Sequence, residues 1–364
     1  MTLTFYIARR FLALFAQVFG VFMAILMLID IIDQLRKYAD APLTVAEAAY
    51  LALLDVPKSL YQILPLIMIL TAIGLFLGLA RSSELVVVRA SGRSGLRFLL
   101  APVGAALAIG LLAVAVMNPL VAATSKSYEA LSAQHSRGGG SVLSITGEGL
   151  WMRQGTAAGQ SVIKAARSNP DGTALQQVTF LSFGSDGTAV QRIEAATARL
   201  EPGQWVLTGA KRWDLTAENP EAAATAPSDL RVPTDLTQDR IRNSFGTPSG
   251  IAFWNLPAYI AGLEQAGFSA RNYRVWLQME LALPLLLSAM VLIAAGFTMR
   301  HARSGKTGSM VLLALLGGFF IFFLRNFAQV LGENGQIPII AAAWSPPVAA
   351  ALMALGLLLH LEDG

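Results

Sequence analysis

Six apolar runs, each long enough to cross a lipid bilayer, constrain this sequence more than any other feature. A membrane-spanning helix needs about 20 residues. Only 14% of the chain is charged, against roughly a quarter in an ordinary soluble protein. The predicted spans are Phe11–Ile32, Leu60–Ala80, Phe98–Val116, Val275–Met299, Met310–Leu331 and Ile337–His360. The chain is therefore a multi-pass membrane protein, and we expect Pro119 to end the third span.

The polar region between the third and fourth runs predicts a separate β domain. It is rich in Gly, Ser and Thr, and it alternates apolar with polar residues. Turn pairs recur at short spacing: Asp171-Gly172, Asp186-Gly187 and Pro202-Gly203. Residues 174–214 predict a three-stranded antiparallel meander with Trp205 and Trp213 on its last strand. Residues 222–243 are rich in Pro, Thr and Asp and predict a linker.

These features predict a membrane α-helical protein of six spans, arranged three and three, with an inserted all-β domain. The expected boundaries are 1–120 and 275–364 for the membrane parts and 121–274 for the β domain. The positive-inside rule sets the orientation. The loops on one side carry a single acid, Glu84, and nine basic residues: Arg9, Arg10, Arg81, Arg89, Arg93, Arg97, Arg300, Arg303 and Lys306. Both termini are therefore predicted to be cytoplasmic and the β domain to lie outside, in the periplasm of a bacterium.

The loop between the second and third spans predicts a short helix over residues 82–91. Ser82 or Ser83 can cap its N-terminus, Glu84 suits the helix dipole in the first turn, and Gly92 can end it. Three adjacent residues are too apolar for a solvated loop: Leu85, Val86 and Val87. Such a helix either lies on the lipid surface or docks into a groove of a cytoplasmic partner. The residues alone do not decide between these two uses.

Catalytic and metal-binding motifs do not stand out in the sequence. The chain has no cysteine, which excludes disulfides, thiolate metal ligands and a cysteine nucleophile. The segment 303–307 resembles the end of a P-loop, but Arg300 stands where that motif needs a glycine, and no strand precedes it. We therefore predict no catalytic residue and no metal ligand in this chain.

Charged residues near the predicted outer ends of spans are the candidate substrate contacts. Asp30, Asp33, Arg36 and Lys37 follow one another at helical spacing, and Arg325 lies within the fifth span. Charges at membrane depth are costly and usually face a cavity or a partner, although Arg36 and Lys37 can instead snorkel to the headgroups. Consecutive helical residues point about 100° apart, so at most one of these two is expected to face a cavity. Arg325 is expected to be a second contact or to pair with Asp30 or Asp33.

Five segments occur in the order that one known family shows: Ile31–Lys37, Val56–Lys58, Gly78–Gly92, Gly139–Trp151 and Ile337–Ile340. On these residues the chain resembles the LptF/LptG family, the permease subunits of the bacterial lipopolysaccharide exporter. Within that family it looks most like LptG. The resemblance covers nearly the whole length. It implies six transmembrane helices and a periplasmic β-jellyroll domain in the inner membrane. It also implies a non-catalytic subunit that extracts lipopolysaccharide and passes it along β-jellyroll domains.

The resemblance also implies partners: an LptF-like permease, an LptB-like ATPase dimer, an LptC-like single-span protein and a periplasmic LptA-like bridge. ATP and Mg would be bound by the partner ATPase, and no cofactor is expected in this chain. The helix over 82–91 matches the coupling helix of the family, which docks on the ATPase. Its expected contact residues are Ser83, Glu84, Leu85, Val86, Val87 and Arg89. A basic residue that binds lipopolysaccharide in some members aligns with Asp30, so these contacts are expected to move to Arg36 and Lys37.

Strand alternation and the resemblance together single out one face of the β domain. Val178, Phe180 and Ile193 would share that face. They either line an apolar trough for lipid acyl chains or form an ordinary core.

Two rival functions remain open at this stage. One is the LptF paralogue of the same complex, which shares the architecture. The other is a non-transporting envelope assembly or scaffold protein anchored in the membrane. Co-purification of an ATPase subunit through residues 82–91 would favour the transporter.

Overall fold

The computed structural model forms two compact units. The membrane unit comprises Met1–His135, Ser249–Trp254 and Arg271–Gly364, and the β unit comprises Ser136–Pro248 and Asn255–Ala270. Each is described here by itself. The residues that the structure describes are 2–38, 43–82, 84, 95–135, 143–146, 149–156, 159–169, 171–184, 187–227, 229–234, 236–238, 241, 247–299 and 307–362.

The six predicted spans are confirmed by helices of sufficient length and hydropathy. The apolar helical stretches among the described residues are Leu3–Lys37, Leu64–Arg81, Arg97–Ser132, Arg271–Thr298, Gly308–Glu333 and Ile339–His360. In chain order the helices of the membrane unit are α1 (Thr2–Lys37), α2 (Val45–Gln62), α3 (Leu64–Arg81), α4 (Gly95–Leu112) and α5 (Asn118–His135). The β unit then contributes α6 (Leu256–Gln265), and α7 (Arg271–Thr298), α8 (Thr307–Glu333) and α9 (Ile339–Glu362) complete the membrane unit.

Local sequence sets where α2 begins and ends. Thr44 and Glu47 form a reciprocal capping box: the Thr44 hydroxyl accepts from the Glu47 N–H at 3.3 Å, and the Glu47 carboxylate accepts from the Thr44 N–H at 2.9 Å. At the other end Pro65 occupies the first turn of α3, where its missing N–H costs nothing. The chain therefore breaks at Ile63 and restarts as α3.

The third span does not end at Pro119, contrary to the sequence-based prediction. A π-helical segment, Ala113–Met117, follows α4 and leads directly into α5. A proline leaves the carbonyl four residues earlier without its helical donor. Here that carbonyl belongs to Ala115, and it accepts a hydrogen bond from the Trp254 indole N–H at 3.2 Å. Trp254 thus supplies a donor to the carbonyl that Pro119 leaves without one.

Helix α7 lies at the centre of the membrane unit. In its most apolar window 83% of the residues are buried, against 0% in α1 and 17% in α8. Gly110 of α4 lets α7 approach closely, because a Cβ at that position would lie 2.5 Å from the Pro284 Cα. The bundle therefore packs around α7, while α1 and α8 present most of their apolar surface outward.

The β unit contains an antiparallel sheet of eight strands, so the predicted all-β character is confirmed. Its strands are β1 (Leu143–Thr146), β2 (Gly149–Thr156), β3 (Gly159–Ser168), β4 (Ala174–Phe183), β5 (Ala189–Glu201), β6 (Gln204–Thr208), β7 (Lys211–Asp214) and β8 (Asp229–Pro233). They pair in the order β1-β2-β3-β4-β5-β6-β8, and β7 also pairs with β5. The predicted meander over residues 174–214 is present, with its last strand divided into β6 and β7. Gly209, with φ +64, provides that interruption.

Helix α6 has no counterpart in the sequence-based description of the β domain. Its C-terminal end joins β3, because the Ser168 N–H donates to the Ala266 carbonyl at 2.8 Å. The next residue is Gly267, with φ +91, where a Cβ would lie 2.0 Å from the Ser168 carbonyl oxygen. Only glycine fits that approach. Little in the sequence points to this helix, because its segment, LPAYIAGLEQ, has only 10 residues.

Candidate functional site

Glu84 is the one residue of the predicted ATPase-contact set that the structure describes. The others, Ser83, Leu85, Val86, Val87 and Arg89, lie outside the described residues. Glu84 Oε1 accepts from Arg10 Nη1 at 2.8 Å and from Ser82 Oγ at 2.7 Å. Arg10 Nη1 also donates to the Tyr6 hydroxyl at 3.0 Å. The acid is therefore already paired within the chain, and it ties the N-terminal part of α1 to the residues that follow α3.

The environment of Glu84 favours its ionised form. The Ser82 hydroxyl, and then the Arg10 guanidinium, hold the pKa of this carboxyl below its usual range. About a third of each side chain of the pair is exposed, 31% for Arg10 and 35% for Glu84. A partner can therefore reach Glu84, and a basic group of that partner would have to share the carboxylate with Arg10.

At the C-terminal end of α1, Lys37 is held by tyrosines and not by a carboxylate. Its Nζ donates to the Tyr128 hydroxyl at 3.2 Å, and it lies 5.2 Å from the Tyr38 ring centroid and 5.4 Å from that of Tyr128. Gln34 also donates to the Tyr128 hydroxyl, at 3.0 Å. Two aromatic faces therefore fix the Lys37 ammonium between α1 and α5, although its side chain is exposed.

Arg36 differs from its neighbour. It is exposed, and it makes no hydrogen bond or ion pair with any residue in the described part of the chain. The two cations thus have different environments, as the angular spacing predicts. Lys37 packs against α5, and Arg36 is open to an external anion.

Arg325 does not pair with Asp30 or Asp33. Asp30 Oδ1 accepts from Gln34 at 3.5 Å, whereas the half-buried Arg325 donates only to Asn326 Oδ1, also at 3.5 Å. The acid near Arg325 is Glu280 of α7, and the two interact electrostatically. Arg325 forms no ion pair within the described residues. Glu280 is not among the residues predicted from the sequence, although one acid inside an apolar span is a signal of its own.

Glu280 is 1% exposed, and the hydroxyl of Tyr61 donates to its Oε2. The Asn118 side chain is the other polar neighbour of this pair. Asn118 is itself fixed, because its Oδ1 accepts from the Phe253 N–H at 2.8 Å. We call Tyr61, Asn118, Glu280 and Arg325 the intramembrane polar cluster. It joins α2, α5, α7 and α8.

The members of this cluster on α7 and α8 lie at similar depths. Arg271, the first residue of α7, donates to the Gly332 carbonyl at 2.6 Å and to the Ile337 carbonyl at 2.7 Å, which aligns the start of α7 with the end of α8. Glu280 is about 13 Å along α7 from that end, and Arg325 is about 12 Å along α8 from Glu333. The acid and the guanidinium therefore face each other deep in the bundle.

The three β-domain candidates are buried on one face of the sheet, as the alternation predicts. Val178 and Phe180 are each 1% exposed and Ile193 is 2% exposed. Phe180 pairs with Ile193 across β4 and β5, and its ring contacts Trp205 edge-on at 6.3 Å between centroids. These side chains pack against one another. Whether they separate to admit a lipid chain stays a prediction.

No group of three or more His, Asp or Glu side chains that could hold a metal ion is found among the described residues. The sites above consist of single cations, tyrosines and carboxylates. Their chemistry suits the binding of anions and the positioning of helices.

The comparisons with known proteins agree with this architecture. The family described as "Lipopolysaccharide export system permease LptF/LptG" matches residues 5–360. LptG of Escherichia coli strain K12 is 28% identical over 340 residues, which cover 92% of this chain and 91% of that protein. LptG of Haemophilus influenzae is 22% identical over 367 residues, which cover 100% of this chain and 99% of that protein. Because the family match spans nearly the whole sequence, the chain belongs to the LptF/LptG family of lipopolysaccharide export system permeases.

Proposed function

We propose that this chain is the LptG-type permease of an ATP-driven exporter, which extracts lipopolysaccharide from the inner membrane and delivers it to a periplasmic β-jellyroll bridge. The family match over residues 5–360 carries this proposal. As a family member, the chain is a non-catalytic permease subunit of the lipopolysaccharide export system. Both named relatives are LptG proteins, which supports the LptG assignment over LptF.

The proposed partners follow from the family match. The energy would come from an LptB-like ATPase dimer that binds ATP and Mg on the cytoplasmic side. An LptF-like permease would complete the membrane cavity, an LptC-like single-span protein would join it, and an LptA-like bridge would accept the lipid. Nine basic residues on one set of loops support cytoplasmic termini and a periplasmic β domain over residues 121–274.

The substrate contacts are proposed at two levels of the membrane unit. Arg36 and Lys37 would bind lipid phosphate where α1 ends, because charge-assisted hydrogen bonds to phosphate are strong at a low-dielectric boundary. Arg325 would be a second contact deeper in the bundle. The support is most direct for Arg36, because its guanidinium is exposed and has no hydrogen-bond or ion-pair partner among the described residues.

The acyl chains would then pass into the β domain. The buried face that carries Val178, Phe180 and Ile193 offers a dry surface once the strands of its face separate. This requires movement, since these side chains are packed in the present structure.

The test is transport by the whole reconstituted complex. A photo-crosslinking residue at Phe180 should capture lipopolysaccharide only when ATP is hydrolysed, and the matched control is the exposed position Arg199 on β5. Crosslinks at Arg199 without crosslinks at Phe180 would contradict the interior path. A purified complex without an ATPase subunit would contradict the transporter function as a whole.

A further inference from the structure

The intramembrane polar cluster contains a carboxylate and a guanidinium at the same depth that are not in direct contact. Burial of such charges in a membrane is expensive unless each has a partner. Glu280 has one in Tyr61, whose hydroxyl donates to it. Among the described residues, Arg325 makes a single hydrogen bond, to Asn326 at 3.5 Å. The cluster therefore satisfies the acid and leaves most guanidinium donors open.

Irregularities in two helices fix the groups that surround the acid. Tyr61 stands two residues before Ile63, where α2 breaks and α3 begins. Asn118 follows the π-helical segment, and its N–H donates to the Ala113 carbonyl. Asn118 is 2% exposed and Tyr61 7% exposed, so neither side chain turns into solvent. Such local distortions occur frequently at functional sites.

The separation of the two charges has a physical consequence. A nearby carboxylate lowers the cost of keeping Arg325 ionised inside the membrane, even without contact. Direct contact between the Glu280 carboxylate and Arg325 would also occupy the guanidinium N–H groups. Those donors could then no longer bind an oxyanion of the substrate in a bidentate manner. An acid held back by other donors thus compensates the charge of the arginine without blocking it.

We propose that Tyr61 and Asn118 are positioning residues that hold the Glu280 carboxylate away from Arg325, so that Arg325 remains open to a phosphate oxygen of the lipid substrate. This rests on the proposed function, in which Arg325 contacts lipopolysaccharide. It assigns roles to Tyr61, Asn118 and Glu280 that neither the motifs nor the family match assign. Glu280 is then a counter-charge of Arg325. When Tyr61 and Asn118 no longer hold its carboxylate, it competes with the substrate phosphate for Arg325.

The first test is Tyr61→Phe in the purified complex, with lipopolysaccharide affinity as the readout. This variant keeps the ring and removes the hydroxyl, so Glu280 can turn towards Arg325 and compete with phosphate. We expect affinity to fall about tenfold, the scale of one charge-assisted hydrogen bond. The matched control is Tyr50→Phe, because Tyr50 lies on the same helix and is 54% exposed. Unchanged affinity in Tyr61→Phe overturns the proposal.

The second test separates positioning from stability. Glu280→Gln added to Tyr61→Phe removes the competing charge and should restore the affinity, whereas a merely structural role predicts a further loss. Glu280→Gln alone should bind lipopolysaccharide about as tightly as the wild type, because the acid that it removes is already held away from Arg325, whereas a structural role for Glu280 predicts a loss. If either variant gives a different affinity from the one expected, the proposal is overturned. If Tyr61→Phe does not assemble, Glu280→Gln alone decides between the two roles. A wild-type complex that binds no lipopolysaccharide would instead overturn the proposed function.

Discussion

The two ends of α1 carry cations in opposite situations. Near the N-terminus, Arg10 contacts a carboxylate of its own chain, Glu84, at 2.8 Å. Near the C-terminus, Lys37 lies between two tyrosine rings, and Arg36 makes no hydrogen bond or ion pair with a described residue. A cation at the predicted cytoplasmic end therefore has an ion-pair partner within the chain, whereas the two cations at the predicted outer end have none among the described residues.

This difference indicates what each end is arranged to do. A cation that already has its anion positions a segment of the protein, here the residues that follow α3. A cation without one is available to an anion from outside, such as a lipid phosphate. Since α1 runs unbroken from Thr2 to Lys37, the two ends are joined by a helix about 54 Å long.

The largest expected effect is at the cytoplasmic end, in Glu84→Ala. If Glu84 also contacts a basic group of the ATPase in a desolvated groove, its removal costs roughly 2–5 kcal/mol. ATPase binding should then fall about 30-fold or more, as measured by co-purification and by ATP-dependent lipid release. Gln62→Ala is a neutral control at the end of a different helix. Normal assembly and transport by both Glu84→Ala and Glu84→Arg would show that the ATPase does not use this residue.

The second effect is at the outer end, in Arg36→Gln and Lys37→Gln. Each removes one charge–phosphate contact, worth roughly 1.5–3 kcal/mol, so lipopolysaccharide affinity should fall about tenfold or more in at least one of them. The larger loss is expected at Arg36, because Lys37 already donates to Tyr128. Arg9→Gln is the matched control, an exposed arginine at the other end of the same helix. Equal affinities in all three variants would assign phosphate recognition to the partner subunit.

The architecture was predictable because its signals are local. Apolar runs of bilayer length fixed six spans, and alternation with turn pairs indicated the antiparallel sheet. The continuation of the third helix through Pro119 was not predicted, and the sequence gives no sign that Trp254, 139 residues after Ala115, donates to the Ala115 carbonyl. Local rules count a proline as a helix end, and only the folded chain shows which distant group compensates for it.

In the candidate sites, too, local features were predictable and contacts between distant residues were not. The sequence pointed to Arg36, Lys37 and Arg325, but Glu280 was overlooked, and what each side chain faces could not be read from the sequence. Lys37 meets a tyrosine 91 residues away, and Arg325 faces Glu280 and not Asp30 or Asp33. Pairings of this kind depend on how helices pack around α7, and a single sequence contains no direct record of that packing.

The smallest expected effect is in Arg10→Gln, and it separates the two possible roles of Glu84. An ion pair exposed by about a third is worth roughly 0.2–1 kcal/mol, so loss of the intrachain contact alone should change ATPase binding by less than about fivefold. A double-mutant cycle of Arg10→Gln with Glu84→Ala then measures the coupling between them. Because the folded-state pKa of Glu84 is lowered, the pair is fully present above the ordinary carboxyl pKa of about 4.3 and is lost only as pH falls through the lower value. The cycle should accordingly give the same coupling at pH 6 and pH 8. An effect of Arg10→Gln as large as that of Glu84→Ala would instead mean that Glu84 acts mainly by anchoring α1, and the contrast between the two ends of the helix would no longer hold.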